Sequence, residues 1–596
     1  MIANPYYGIW HDARIYLVMG LQHLEPEAFV RDVWFMFGAQ DRYSLFDEFY
    51  SYVLQVLPVA QAAKLLAALG GFFWMGAVLY FAKGIVSPKK AIYCALILGC
   101  VPLCYGMQDG AVLLLVESFA NARPFALASA VLGMAFFVRG YYFRSFLFFL
   151  LGLLIHPLLA IWAILACVGV FFSDIALLVF LCVTVLAIGI ASIFGVGDFS
   201  LMDTTWYDLV KNTSVIVFPK DSESVAWGAP LWWISLLALA GRMRSDKVGR
   251  LYDVVSFISA WTFLIAILVS FFFPVIFLAK VQVWRAYWVA LCLGVMAGTE
   301  VWSIPENPRA KWLWRAVICL SFLSADAGGW IFILLAWFYF SCNRFHGWVN
   351  ARWQTIECFP LWRWGRMSVW CVLAIVVFLK IFPIQYREVM IGGGKFEIAY
   401  VLLAVLIFPV VIACISFSHD VVLMVLSISF AVFSFFVWDQ RSLETMRLES
   451  FYGVHSGEWL SSGIKKEDVV YWPKIDSGPW FILGAAGYAQ SVQGVGIVFS
   501  REHASLLYRR ERMIKGLGLP KGNGIGENEF DLHASMFHPF SLTRKSVVAL
   551  CQDNDLDIVV DDVRYSSLPS NMFYLGGGVS GKAWYVFDCR EIRKII

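Results

Sequence analysis

The sequence predicts a polytopic α-helical membrane protein with a small extracytoplasmic α/β domain at its C-terminal end. Three observations carry that class. Hydrophobic residues make up 60% of the 596 and charged ones only 15%, with a mean hydropathy of +0.71; soluble domains run near a quarter charged. Apolar runs long enough to cross or enter a bilayer recur from residue 57 to 438. Beyond 439 the chain turns polar and alternates β-rich with helical stretches. The 26 Trp suit membrane interfaces, and a net charge of +3 is too small to point to nucleic acid.

The expected domains are residues 1–56, a first outer loop with interfacial helices, then 57–438, a transmembrane helical domain, and 439–596, the α/β domain. In the first, Ile15, Val18, Leu21 and Leu24 recur at three-residue spacing until Pro26, which predicts a short helix. Asp12 and Asp32 each lie near an arginine and among aromatics, with His11 and the paired acids Asp47-Glu48 in the same segment. The plainest role for Asp12 and Asp32 is to cap helices.

Apolar runs follow near 57–83, 91–107, 123–140, 145–172, 175–195, 228–241, 252–273, 286–303, 313–341, 367–384, 396–416 and 420–438. Those at 145–172 and 313–341 are too long for one crossing, and they break at His156-Pro157 and at Ala325–Gly329. Read as hairpins of short helices, they bring the total to about fourteen membrane segments. Positive charge orients the scheme. Lys83, Lys89 and Lys90, Arg139 and Arg144, Arg242 to Arg250, Arg309 to Arg315, and Arg344 to Arg366 fall on one side, expected to be cytoplasmic. The loops at 108–122, 196–227, 274–285 and 385–395 fall opposite, with the first segment and the tail. That leaves an outer segment with no helix ahead of it: either a first transmembrane helix precedes the chain given, the favoured expectation, or the span after the segment translocates it unaided. Most of the 13 Cys lie in apolar runs; Cys551 and Cys589 are in the polar tail, where an extracytoplasmic setting would let them pair.

Within the tail, Trp480–Leu483 and Gly496–Phe499 read as strands, and Ser500 as the cap of a helix from Arg501 to about Lys515. Ser541–Cys551 reads as a helix, and Asp557–Val560 and Ala583–Phe587 as strands. The glycine cluster Gly522–Gly526 joins no strand to a helix, so it reads as a loop, not a dinucleotide site.

A charge inside an apolar span costs about 2.5–3.5 kcal/mol on insertion scales, so those that persist line a cavity or sit near an interface. His156 and Asp326 each break an apolar stretch, Arg123 opens a span on the outer side, and Arg285 sits at the outer end of another. Arginine near headgroups binds phosphate bidentately or snorkels to the interface. Two arginines, a histidine and two carboxylates on one face predict a shared site.

His11-Asp12-Ala13-Arg14-Ile15-Tyr16, Arg123-Pro124-Phe125-Ala126-Leu127 and the glycine-containing helix ending in His156-Pro157 resemble GT-C-type glycosyltransferases. These polytopic enzymes use a sugar carried on a polyprenyl phosphate. The architecture is similar too: an acidic first outer loop, many helices and an outer C-terminal α/β domain. The resemblance implies transfer of a sugar from a polyprenyl-phosphate donor, at the bilayer, to an extracytoplasmic glycan, lipid or protein acceptor, in a membrane such as the bacterial inner membrane. Asp12 would be the general base, and Asp32 would orient the acceptor or hold a divalent metal if one is used. Arg123, Arg285 and His156 would hold the donor phosphate. His11, Asp47, Glu48 and Asp326 are secondary candidates, and no cofactor is required. Two other classes share the topology: a non-enzymatic transporter or flippase of lipid-linked glycans, and a glycan polymerase or acyltransferase.

Overall fold

The computed structural model describes residues 4–38, 43–101, 103–105, 113–213, 217–218, 227–302, 308–341, 438–453, 462–517, 542–575 and 582–596. The expected spans from 367 to 438, the arginines from Arg344 to Arg366 and the cluster Gly522–Gly526 lie outside the described residues.

The first segment forms α1 (Asp12–Leu24), α2 (Pro26–Phe29), α3 (Val33–Met36) and α4 (Phe46–Val56). Pro26 ends α1 as expected, because it has no N–H to continue the ladder. The apolar region then supplies α5 (Val59–Ile85), α6 (Pro88–Cys100), α7 (Arg123–Val138), α8 (Tyr142–Ile155), α9 (Pro157–Gly169), α10 (Asp174–Ile193), α11 (Thr204–Thr213), α12 (Gly228–Arg242), α13 (Lys247–Phe271), α14 (Ile276–Val281), α15 (Tyr287–Val301), α16 (Pro308–Leu323) and α17 (Trp330–Ser341).

Four stretches are long and apolar enough to cross a membrane: α5, α10, α13 and Ile276–Val301. The last is composite, because Gln282 at φ 50° separates α14 from a 3-10 turn and α15. Helices α7, α8 and α9 have 16, 14 and 13 residues. At 1.5 Å per residue they reach roughly 20–24 Å, short of a hydrocarbon core of about 30 Å. The expected total of about fourteen membrane segments is not confirmed by the described residues, which leave out the runs from 367 on. Both expected breaks are present. His156 parts α8 from α9, and a 3-10 turn at Ala325–Ala327, closed by Gly328 at φ 92°, parts α16 from α17. Helix α10 is almost bare, with Ile175, Val183 and Leu186 more than half exposed. An apolar helix with so little protein around it suits lipid.

The tail carries a five-stranded sheet in the order β2-β1-β3-β5-β4, made of β1 (Val469–Tyr471), β2 (Ala486–Gly487), β3 (Ile558–Asp561), β4 (Asn571–Leu575) and β5 (Lys582–Asp588). Strands β1, β2 and β3 run parallel, and β5 is antiparallel to both β3 and β4. Two expectations are corrected. Trp480–Leu483 is no strand: Gly478–Phe481 makes one helical turn with Pro479 at its start. Gly496–Phe499 is no strand either, since Ser491–Val498 is a 3-10 helix. Short apolar runs carry no period that separates strand from helix. The helix Arg501–Gly516 is capped by Ser500 as expected, and β3 and β5 fall where expected. Cys551 and Cys589 form a disulfide.

Alternation along the strands splits the sheet into two faces. Val469, Val559 and Phe587 pack under the tail's own helices. Val470, Ile558, Val560, Trp584 and Val586 pack instead with Trp10, Ile15, Phe29 and Trp34 of the first segment. The first segment and the tail thus share one core. Polar ties reinforce it: Arg14 with Asp476 at 3.1 Å, Arg31 with Asp557 at 2.5 Å, and the Ile9 N–H donating to Glu449 at 2.6 Å.

Candidate active site

Helix α1 opens on a strained residue. His11 has φ 49°, a left-handed value that costs a non-glycine residue energy. Its ring lies near Trp10 and Phe119, and its Nδ1 is 3.0 Å from Asp12. His11, Leu113 and Gln282 are the non-glycine residues with positive φ among the described residues. Two of the three flank the charged groups described next.

Asp12 sits in the first turn of α1 without capping it. It accepts from Arg123 Nη1 at 2.5 Å. Arg123 is 3% exposed and is gripped on its other edge by Glu117, from Nε at 2.8 Å and Nη2 at 2.7 Å. Asn121 completes the frame: its Nδ2 donates to Glu117, and its Oδ1 accepts the Arg123 N–H. Burial pushes Asp12 toward the neutral form, but the charges and hydrogen bonds of His11 and Arg123 outweigh it and hold the carboxyl well below the usual range. For Glu117 burial wins over Arg123, and its pKa rises. Two carboxylates on one guanidinium are thereby pushed apart, the pattern that separates acid and base roles.

Arg285 makes a second, less compensated positive centre. Its Nε donates to Gln282 at 2.8 Å and its Nη1 reaches His156 Nε2 at 3.5 Å; among the described residues no carboxylate is within ion-pair distance. Because a guanidinium only donates, His156 Nε2 accepts, which leaves the hydrogen on Nδ1. That atom is buried and has no partner among the described residues.

His156 also lines a cavity of about 400 Å³, together with Tyr16, Ser44, Asp198, Lys280 and Phe499. Tyr16 is one helical turn beyond Asp12. A second cavity of about 400 Å³ lies between α9, α10 and α13, lined by apolar side chains apart from Thr184 and Thr262. Both cavities include Phe277 and Val281 in their walls, so they adjoin.

The fold thus brings together Asp12, His11, Arg123, His156 and Arg285. It places the other candidates elsewhere. Asp32 is fully buried and accepts four hydrogen bonds, from Trp34 N at 2.9 Å, Trp480 Nε1 at 2.6 Å, Gly487 N at 2.8 Å and Gln493 Nε2 at 3.0 Å. The bond from Trp34 caps α3, the plainest role expected of it, and the other three hold the first segment to the tail. Arg123 donates from Nε to Glu117 and from Nη1 to Asp12, with Nη2 beside Glu117, so it bridges two carboxylates. Asp47 pairs with His23 at 2.8 Å, tying α4 to the end of α1, and Glu48 faces outward. Asp326 accepts from the Gly228 N–H at 3.1 Å, at the start of α12. Glu117 is the residue the sequence reading misses, although an acid in an apolar stretch six residues before Arg123 is the same signal that singles out Arg123.

For a metal, no group of three or more suitable ligands occurs among the described residues. Both Asp12 oxygens are already engaged, one by a cation that would repel a metal ion. Compared with known protein families, curated proteins and solved structures, the chain matches none.

Proposed function

We propose that the chain is a membrane glycosyltransferase that moves a sugar from a polyprenyl-phosphate donor to an extracytoplasmic acceptor. The observation that carries this is the pairing of cavities: one that sets His156, Tyr16, Ser44, Asp198 and Lys280 into an otherwise apolar wall adjoins an apolar one beside the nearly bare α10. A donor with a hydroxyl-rich, charged head and a hydrocarbon chain needs both environments side by side.

In the reaction the acceptor hydroxyl oxygen forms a bond to the sugar's anomeric carbon. The bond from that carbon to the phosphate oxygen breaks, and its electron pair leaves on the phosphate. Asp12 takes the hydroxyl proton. Because Arg123 and His11 hold it ionised it is a weak base, so the proton moves late, as the acceptor bond forms. Arg285 supplies positive charge for the departing phosphate, and Arg123 fixes the Asp12 carboxylate in place. The common core of the first segment and the tail supports their lying on one side of the bilayer. The disulfide suits an oxidising compartment outside the cytoplasm.

Arg285→Ala tests the donor end. A charge-assisted hydrogen bond is worth about 1.5–3 kcal/mol, so transfer at limiting donor should fall at least about tenfold. An unchanged rate would remove Arg285 from the reaction.

A further inference from the structure

The strand-like segment before α11 is stitched to the start of α14. Leu201 bridges Val275, Met202 N–H donates to Pro274 O at 2.9 Å, and Ile276 N–H donates to Ser200 O at 3.0 Å. The rings of Phe199 and Phe277 lie 4.9 Å apart. This frame sets Lys280 Nζ against both Asp198 oxygens, at 2.9 and 3.0 Å. Both residues line the cavity at His156, while Phe277 and Val281, on the same short helix as Lys280, line both cavities. The ammonium therefore stands where a chain passing from the apolar cavity into the one at His156 would present its first charged group. His156 Nδ1, buried and carrying the hydrogen, is a second donor in the same wall.

We propose that Lys280 receives the phosphate of the lipid-linked donor, and that Asp198 is an exchangeable partner which the phosphate displaces. The proposal rests on the lipid-phosphate reading above. Asp198 is 56% exposed, and such an ion pair holds weakly. A phosphate offers more charge and more acceptor oxygens. Lysine, a compact charge on a flexible stem, changes partner readily.

The test uses the full chain in neutral detergent, titrated with farnesyl monophosphate, farnesol and inorganic phosphate while tryptophan fluorescence is followed. Farnesyl monophosphate should bind at least about tenfold more tightly than farnesol, with inorganic phosphate a poor competitor. Lys280→Ala should cut that preference severalfold, Lys280→Arg should keep most of it, and Asp198→Asn should tighten farnesyl monophosphate severalfold by removing its competitor. Opposite signs for the two variants separate docking from a structural ion pair, which would make both variants lose affinity and melting temperature alike. Equal losses, or an unchanged Lys280→Ala, would overturn the proposal. Competition by inorganic phosphate as strong as by the prenyl phosphate would overturn the lipid source. Lys280-dependent binding without sugar transfer would refute the transferase reading and leave this one standing.

Discussion

Asp32 accepts from four donors inside the core, and replacing it with Asn would set an amide NH₂ against donors that need an acceptor. Each buried group left unpaired costs about 1–3 kcal/mol, so Asp32→Asn should destabilise the fold by about 3 kcal/mol or more, read as a lowered melting transition. Asp12→Asn differs. Arg123 keeps its two contacts to Glu117, so the fold should survive, while transfer falls by roughly 10²–10⁴, the usual worth of a general base. Normal transfer by Asp12→Asn would move the base to Glu117, whose raised pKa favours proton exchange. These roles were only half legible. Asp12 and Asp32 both sit by arginines and aromatics, yet three of Asp32's donors come from residues 480, 487 and 493. Local sequence carries no trace of such long-range pairing.

At the scale of elements, the helix Arg501–Gly516 shows what capping and periodicity do make legible: the Ser500 oxygen accepts from the His503 N–H at 3.2 Å, where the sequence put a cap. The burial of His503 against Trp34 and Phe37 is not legible, because those rings come from the first segment. Burial, with Arg510 adding repulsion, pushes the His503 pKa down to about 4. The unfolded chain takes up the proton near 6.5. Stability is thus complete above pH 6.5 and is lost as pH falls toward 4, by about 1.4 kcal/mol per pH unit. Melting of the purified protein between pH 7 and 5 should show this slope, and His503→Gln should flatten it. Parallel slopes in the two proteins would place the proton elsewhere.

Across the whole molecule, the membrane-type helices and the first segment meet at the charged cluster. The first segment gives Asp12, the start of α7 gives Arg123, the break before α9 gives His156, and the turn before α15 gives Arg285. The apolar runs made most of the helical layer readable, and the cost of charge in those runs made the cluster readable. How the sheet's second face joins the first segment lay beyond any local pattern. The most direct measurement on the whole molecule is the fate of the lipid phosphate. Purified protein is incubated with a polyprenyl phosphate carrying a labelled sugar and with candidate glycan, lipid and protein acceptors. The label should leave the lipid for an acceptor as free polyprenyl phosphate appears in equal amount. Recovery of the labelled lipid intact, moved from one leaflet of a vesicle to the other with its sugar still attached, would contradict glycosyl transfer.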